Sequence, residues 1–182
     1  MPGRLIYLMG PSGAGKDSLI GAAREILSAR GCRIARRVIT RSSTRGEEGA
    51  QCVSATRFAQ LERAGAFAMS WRAHGMAYGI PTQIDDWLAA GWYVLVNGSR
   101  SYWPEALRRC PRAQGVLLSV DREELRRRLL ARGRETPAEI EVRLARNDLF
   151  PDGLGYVASL DNSGSLARTL EHLCELIGPR MA

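Results

Sequence analysis

The hydrophobic positions of this chain fall into short blocks separated by turns. Leu5 to Met9 is an unbroken apolar run of strand length, ended by a glycine-rich turn. Behind it Leu19, Ile20, Ala23, Ile26 and Leu27 recur at helical spacing, which predicts a helix over about Lys16 to Ala29 with Gly31 as its stop. Arg33 to Ile39 reads as a second strand, Phe58 to Ala64 as a short helix and Phe67 to Trp71 as a short strand. His74 to Ile80 reads as a turn into another strand, and Pro81 to Leu88 as a helix with Ile84, Trp87 and Leu88 inward. Trp92 to Val96 and Gly115 to Val120 read as buried strands. Pro104 to Arg109 is helical, as is Arg122 to about Ala131, with Asp121 as a cap. A helix over Ala138 to Arg146, a strand over Tyr156 to Leu160 and an amphipathic helix over Ser165 to Ile177 complete the chain. The last has Leu166, Leu170, Leu173, Leu176 and Ile177 inward.

Strands alternating with helices imply an α/β fold with a parallel central sheet covered on both faces. The short pieces between Arg41 and Ile80 break that alternation and read as a small insertion carrying a second substrate. The expected organisation is one domain over 1–182: a core of 1–39, 83–131 and 147–182, an acceptor-binding insertion of 40–82 and a helical lid of 132–146.

The turn after the first strand is Gly10-Pro11-Ser12-Gly13-Ala14-Gly15-Lys16-Asp17-Ser18, which fits the G-x-x-x-x-G-K phosphate-binding loop. Glycines let consecutive backbone N–H groups curl around an anion. The helix that follows adds its positive end, and Lys16 reaches the outer phosphates of a nucleotide as a compact charge. The place that normally holds Ser or Thr is Asp17, with Ser18 next. A carboxylate is a good ligand for a hard cation such as Mg²⁺. Asp17 is therefore the candidate metal ligand, the alternative being that it caps the helix while Ser18 or water meets the metal.

Composition narrows the partners. The formal charge of +7 suits an anionic ligand, and a polyphosphate meets it as well as a nucleic acid does. Lys16 is the only lysine; every other fixed cation is Arg. That fits a site where a planar fork cannot replace an ammonium. No apolar run approaches the length of about 20 residues that a membrane span needs, and no signal peptide is expected. The four cysteines lie far apart without a C-x-x-C, which points to a reducing cytoplasm. Arg41 and Arg45 in the polar stretch Thr40 to Gly49 read as a forked anion clamp. Of the later arginines, most of Arg122, Arg126, Arg127 and Arg128 read as a solvated face, and Arg132, Arg134 and Arg143 as groups aimed at phosphate. Of the two histidines, His172 reads as structural and His74 as a possible substrate contact.

A nucleotide loop, an Arg-bearing insertion and a late Arg-rich segment together make a small-molecule kinase, since phosphoryl transfer needs two aligned anions and neutralised charge. If the acceptor is itself an ionised phosphate oxygen, no general base is required. That agrees with the lack of an obvious one.

About nine tenths of the chain resembles the guanylate-kinase fold group. The phosphate loop matches, Ile39-Thr40-Arg41 is similar to its T-T-R segment, and Gly75-Met76-Ala77-Tyr78-Gly79 to its G-N-Y-Y-G. Arg132-Gly133 through Arg143-Leu144 follows its lid pattern. The guanine-reading acid before the tryptophan of F-x-E-W is replaced by Ser70 before Trp71, and the strand end Leu95-Val96-Asn97-Gly98 lacks the group's acid. The phosphate clamps survive and the base reader does not.

Gly13 through Leu19, Val38-Ile39-Thr40-Arg41, Leu95 through Arg100 and Gly133-Arg134-Glu135 more closely resemble the ribose 1,5-bisphosphate phosphokinases of phosphonate degradation. The resemblance implies ATP as donor, Mg²⁺, and a small-molecule sugar bisphosphate converted to 5-phospho-α-D-ribose 1-diphosphate, with neither nucleic acid nor membrane as partner. It implies catalytic roles for Lys16, Arg132 and Arg143, and acceptor binding by Arg41, Arg45, Tyr78 and Arg134. The alternatives are a nucleoside monophosphate kinase, a guanylate-kinase-like interaction module without catalysis, and a nucleic-acid binder. Oligomeric state is not set by the sequence.

Overall fold

The fold is organised by β1 (Arg4–Met9), in which Ile6, Tyr7, Leu8 and Met9 are all fully buried. A strand buried on both faces needs a hydrogen-bonded neighbour on each edge and a cover above and below. In the computed structural model, which describes residues 3–41, 49–148 and 157–178, β1 lies at the centre of a five-stranded parallel sheet. Its neighbours are β7 (Tyr93–Asn97) on one side and β8 (Gln114–Ser119) on the other. β2 (Cys32–Ile34) flanks β7, and β9 (Val157–Asp161) flanks β8. On one face, Ile6 and Leu8 pack against α1 (Lys16–Ala29) and α7 (Leu166–Ile177). On the other, Leu5, Tyr7 and Met9 join a core with Ile84 of α3 (Gln83–Ala89) and with Trp103 and Ala106 of α4 (Trp103–Arg109).

The predicted strand Arg33 to Ile39 is in fact two strands in two sheets. β2 belongs to the central sheet, whereas β3 (Arg37–Thr40) turns away at Ala35-Arg36 into a second sheet of order β4-β3-β6-β5. Ala35 is tied by its N–H to the Leu95 carbonyl, and the chain leaves the central sheet there. The unbroken β-forming run gives no local sign of that corner. β4 (Ala50–Val53), a strand the periodicity did not predict, pairs parallel with β3. β5 (Phe67–Ala73) and β6 (Met76–Pro81) form an antiparallel hairpin against it. α2 (Ala55–Arg63) covers this sheet through Phe58, which packs on Val38 and Ala77.

α5 (Arg122–Arg132) and α6 (Pro137–Asp148) share a small core of their own: Leu125, Leu129, Ile140 and Leu144. Asp121 caps α5, its carboxylate accepting from the Glu123 and Glu124 N–H groups. Two expected core positions are exposed. Ile26 is 40% exposed and Leu166 is 38% exposed, because each lies at the margin of its helix's apolar stripe. The predicted start of the last strand, Tyr156, lies outside the described residues. Among the described residues, no helix is long and apolar enough to cross a membrane.

Candidate active site

In an open α/β sheet, ligands sit beyond the carboxyl ends of the strands. Here those ends deliver the phosphate loop after β1, the segment Asn97–Ser101 after β7 and Asn162 after β9 to one cleft of about 1380 Å³. The second sheet adds Arg37, Ile39, Arg41, Trp71, Ala73, His74, Met76 and Tyr78, and the α5–α6 pair adds Arg128, Arg132, Arg134, Glu135, Arg143 and Arg146. A single small ligand fills roughly 300–1,000 Å³, so this cleft has room for two. Among the described residues, nine fixed cations line it against three carboxylates, those of Asp17, Glu135 and Glu139.

The loop is built for close approach. Gly15 precedes α1 with φ +91°, and a Cβ there would meet Asn162 Nδ2 at 2.7 Å. Asn162 is buried and donates from Nδ2 to the Ala14 carbonyl at 2.7 Å. Arg128 donates to the Asn162 carbonyl at 2.7 Å while its Nε meets Glu124 at 2.7 Å. The loop is thus braced from behind. Lys16 Nζ donates to the Gly10 and Pro11 carbonyls at 2.7 and 3.0 Å, which leaves the third donor of its ammonium for an anion. Burial, aided by the charges of Arg37 and Arg100 and opposed by Asp17, lowers its pKa to about 8.

Gly10, Ser12, Gly13, Gly15, Lys16, Asp17 and Ser18 all line the cleft. Pro11 and Ala14 do not; both are buried and contribute backbone carbonyls. Arg41, Tyr78, Arg132, Arg134 and Arg143 line it, Arg143 paired with Glu135 at 2.5 Å. Arg45 lies outside the described residues. Tyr78 stacks on Trp71 with centroids 5.5 Å apart and an interplanar angle of 7°, and the Arg37 guanidinium lies 5.2 Å from the Tyr78 ring. Trp71 also meets Tyr102 at 5.4 Å. His74, on the hairpin turn at φ +52°, faces the cleft; His172 is exposed on α7, not structural in the sense expected. Ser70 faces away: its hydroxyl bonds Glu62 of α2 at 2.7 Å, and Arg72 grips the same carboxylate with both its terminal nitrogens. Among the described residues, the wall of the cleft from β3, β5 and β6 therefore carries cations and aromatic rings and no carboxylate.

No family model matches the chain. It is 63% identical over 179 residues to the ribose 1,5-bisphosphate phosphokinase PhnN of Pseudomonas paraeruginosa, covering 98% of this chain and 97% of that one. It is 58% identical over 178 residues to the protein of the same name from Pseudomonas fluorescens, covering 95% and 94%. It is 58% identical over 180 residues to that of Azotobacter vinelandii, covering 99% and 98%. The chain belongs to the ribose 1,5-bisphosphate phosphokinase family. Its fold is that of the guanylate kinase from Anaplasma phagocytophilum, with a TM-score of 0.70 at 16% identity over 97% of this chain and 85% of the other.

Several residues that the structure brings to this cleft or its loop are not among the sequence-predicted candidates. Arg37 sat inside a predicted strand, and Arg128 was grouped with a solvated face although it braces the loop. Asn97 and Arg100 follow a strand end, which is the signal that should have marked them. Asn97 is buried and donates from Nδ2 to Asp17 Oδ1 at 2.7 Å; its own Oδ1 has no hydrogen-bond partner among the described residues. Arg37 stands 3.8 Å from the same Asp17 oxygen, and the Asp17 side chain is 51% exposed. An accessible carboxylate held in place by a neighbouring amide fits a hard cation such as Mg²⁺. No cluster of three or more His, Cys, Asp or Glu occurs among the described residues, so a protein-only metal cage is absent there.

Proposed function

We propose that this phosphokinase transfers the γ-phosphoryl group of ATP to the 1-phosphate of ribose 1,5-bisphosphate, giving 5-phospho-α-D-ribose 1-diphosphate and ADP in the cytoplasm. The name shared by relatives that align end to end supports the substrate. The observation that carries the reading is the wall of the cleft from β3, β5 and β6, which has no carboxylate among the described residues, since recognition of a purine edge needs a buried polar reader and a site lacking one discriminates weakly for it. The four cysteines are all unpaired, which supports a reducing compartment.

In this reading the chain divides into a core of 1–39, 83–131 and 147–182, an acceptor insertion of 40–82 and a lid of 132–146. The phosphate loop and Lys16 hold the donor tail; Asp17 holds Mg²⁺, which when bound offsets phosphate charge. Arg41, Arg45, Tyr78 and Arg134 hold the acceptor, together with Arg37, a reading supported by its guanidinium lying 5.2 Å from the Tyr78 ring. An oxygen of the 1-phosphate, already ionised at neutral pH, forms the new bond to the γ-phosphorus as the bond to the bridging β–γ oxygen breaks, and ADP leaves. No proton need be removed by the protein. Lys16, Arg132 and Arg143 stabilise the charge on the moving group.

The test is product analysis after incubation with ATP and Mg²⁺, with ribose 1,5-bisphosphate and GMP as competing acceptors. The expected product is the ribosyl diphosphate. Brisk conversion of GMP with the sugar bisphosphate untouched would make the chain a nucleoside monophosphate kinase instead.

A further inference from the structure

The end of β7 and the start of α1 meet through one contact that neither stretch of sequence announces. Asn97 Nδ2 donates to Asp17 Oδ1 at 2.7 Å across 80 residues of chain. The negative charge of Asp17 fixes the amide's orientation, because a flipped amide would set oxygen against oxygen. That orientation leaves Asn97 Oδ1 facing no donor among the described residues, although Asn97 is only 6% exposed. The second group near Asp17, Arg37 at 3.8 Å, stands by the same oxygen.

In phosphate-loop enzymes the cation is ordinarily held by a hydroxyl on the loop and a carboxylate at a neighbouring strand end. This chain has the two chemistries exchanged: a carboxylate on the loop at Asp17, a neutral amide at the strand end at Asn97. Had the strand end kept its acid, two carboxylates would face each other at hydrogen-bond distance and repel. The amide instead attracts the carboxylate and orients it.

We infer that Asn97 is the positioning residue for Asp17, and that the pair is a reversed version of the usual cation site. Asn97 anchors Oδ1 of the carboxylate and leaves Oδ2 for the metal that accompanies the nucleotide. This rests on the kinase reading above.

The experiment measures Mn²⁺ affinity by electron paramagnetic resonance with a non-hydrolysable ATP analogue bound. The proteins compared are wild type, Asn97→Ser, Asp17→Ser and the double exchange Asp17→Ser/Asn97→Asp. Asn97→Ser and Asp17→Ser are each expected to weaken Mn²⁺ about tenfold or more. Metal-free nucleotide binding and the thermal midpoint of Asn97→Ser should stay near wild type, which a merely structural role would not allow. The double exchange restores a hydroxyl on the loop and an acid on the strand, and should recover most of the lost affinity. Asn97→Ser binding Mn²⁺ like wild type, or a double exchange no better than Asp17→Ser, overturns the inference while wild-type turnover leaves the kinase reading standing. Wild-type protein that binds no Mn²⁺ with nucleotide overturns both together. Should one Asn97 variant not fold, the other reads the same question.

Discussion

Glu135 and Arg143 meet at 2.5 Å across the turn that joins α5 to α6, with side chains 23% and 28% exposed. Both line the cleft, so an arginine of α6 proposed to meet the transferred phosphoryl group is held by a carboxylate of the turn just before its helix. An incoming phosphate must compete with Glu135 for that guanidinium. Partly solvated pairs contribute up to about 1 kcal/mol, which corresponds to roughly fivefold in affinity. Glu135→Gln is therefore expected to bind an ATP analogue up to about fivefold more tightly in calorimetric titrations at low salt. The difference should shrink as ionic strength rises. Weaker binding in the variant would mean that Glu135 aims Arg143 rather than competing for it.

Lys16 offers a chemical handle because it is the only lysine in the chain. Burial lowers its pKa to about 8, so near that pH half of the side chain is the neutral, nucleophilic amine. The folded protein binds fewer protons here than the unfolded chain does between about pH 8 and the ordinary lysine value near 10.4. In that window stability from this group rises with pH, and below it the buried charge is a cost. Amine-directed labelling should modify Lys16 with a midpoint near pH 8, read by peptide mass spectrometry. A bound nucleotide phosphate stabilises the charged form and shields it, so ATP should suppress the reaction and move the midpoint upward. Labelling that ignores ATP would remove Lys16 from the donor site.

The two arginines of β3 and its end are expected to separate by function. Arg41 lines the cleft at the end of β3, whereas Arg37 lies over the Tyr78 ring and also stands 3.8 Å from Asp17. Losing a hydrogen bond to a charged group costs about 1.5–3 kcal/mol, or roughly tenfold to a hundredfold. Arg41→Ala should raise KM for ribose 1,5-bisphosphate by that factor with ATP binding unchanged. Arg37→Ala should raise the same KM and also the Mg²⁺ concentration needed for half-maximal rate. Loss of ATP binding in Arg41→Ala would place that arginine on the donor side.

What the sequence made legible was what lies close together along the chain. The phosphate loop could be read because Gly10 to Ser18 are consecutive and their spacing is itself the chemistry. The Asp121 cap and the apolar spacing of α5 are local in the same sense. The braces were not legible: Asn162 reaches the Ala14 carbonyl across 148 residues, and Asn97 reaches Asp17 across 80. Only the parallel order of β7, β1, β8 and β9 brings those strand ends together. The role of Arg128 is hidden because a charged helix face looks solvated from composition alone. Arg128 stands beside Leu129 on the edge of the buried stripe and turns toward the loop. The split of Arg33 to Ile39 was hidden because β propensity reports extended backbone without saying which sheet receives it.

The rigidity of the β7 end is open to a direct stability measurement. Gly98 lies against the Tyr7 ring so closely that an added Cβ would fall 2.0 Å from Cζ. The Tyr7 hydroxyl donates to the Ser99 carbonyl at 3.1 Å and accepts from the Ser99 N–H at 3.0 Å. Tyr7 is fully buried and packs on Trp103 with centroids 5.3 Å apart, so the ring has little room to retreat. Gly98→Ala should then cost about 1–3 kcal/mol or more, the range for overpacking a dense core. It should also displace Asn97 and weaken metal-dependent nucleotide binding. Gly21→Ala is the matched control: nothing lies within 4 Å of its added Cβ, and the residue is inside α1. There the change should stabilise by about 0.5–1 kcal/mol through helix propensity alone. Urea titrations of the two variants should therefore shift their midpoints in opposite directions; a Gly98→Ala protein as stable as wild type would show that the Tyr7 ring yields and that the strand end is not held by it.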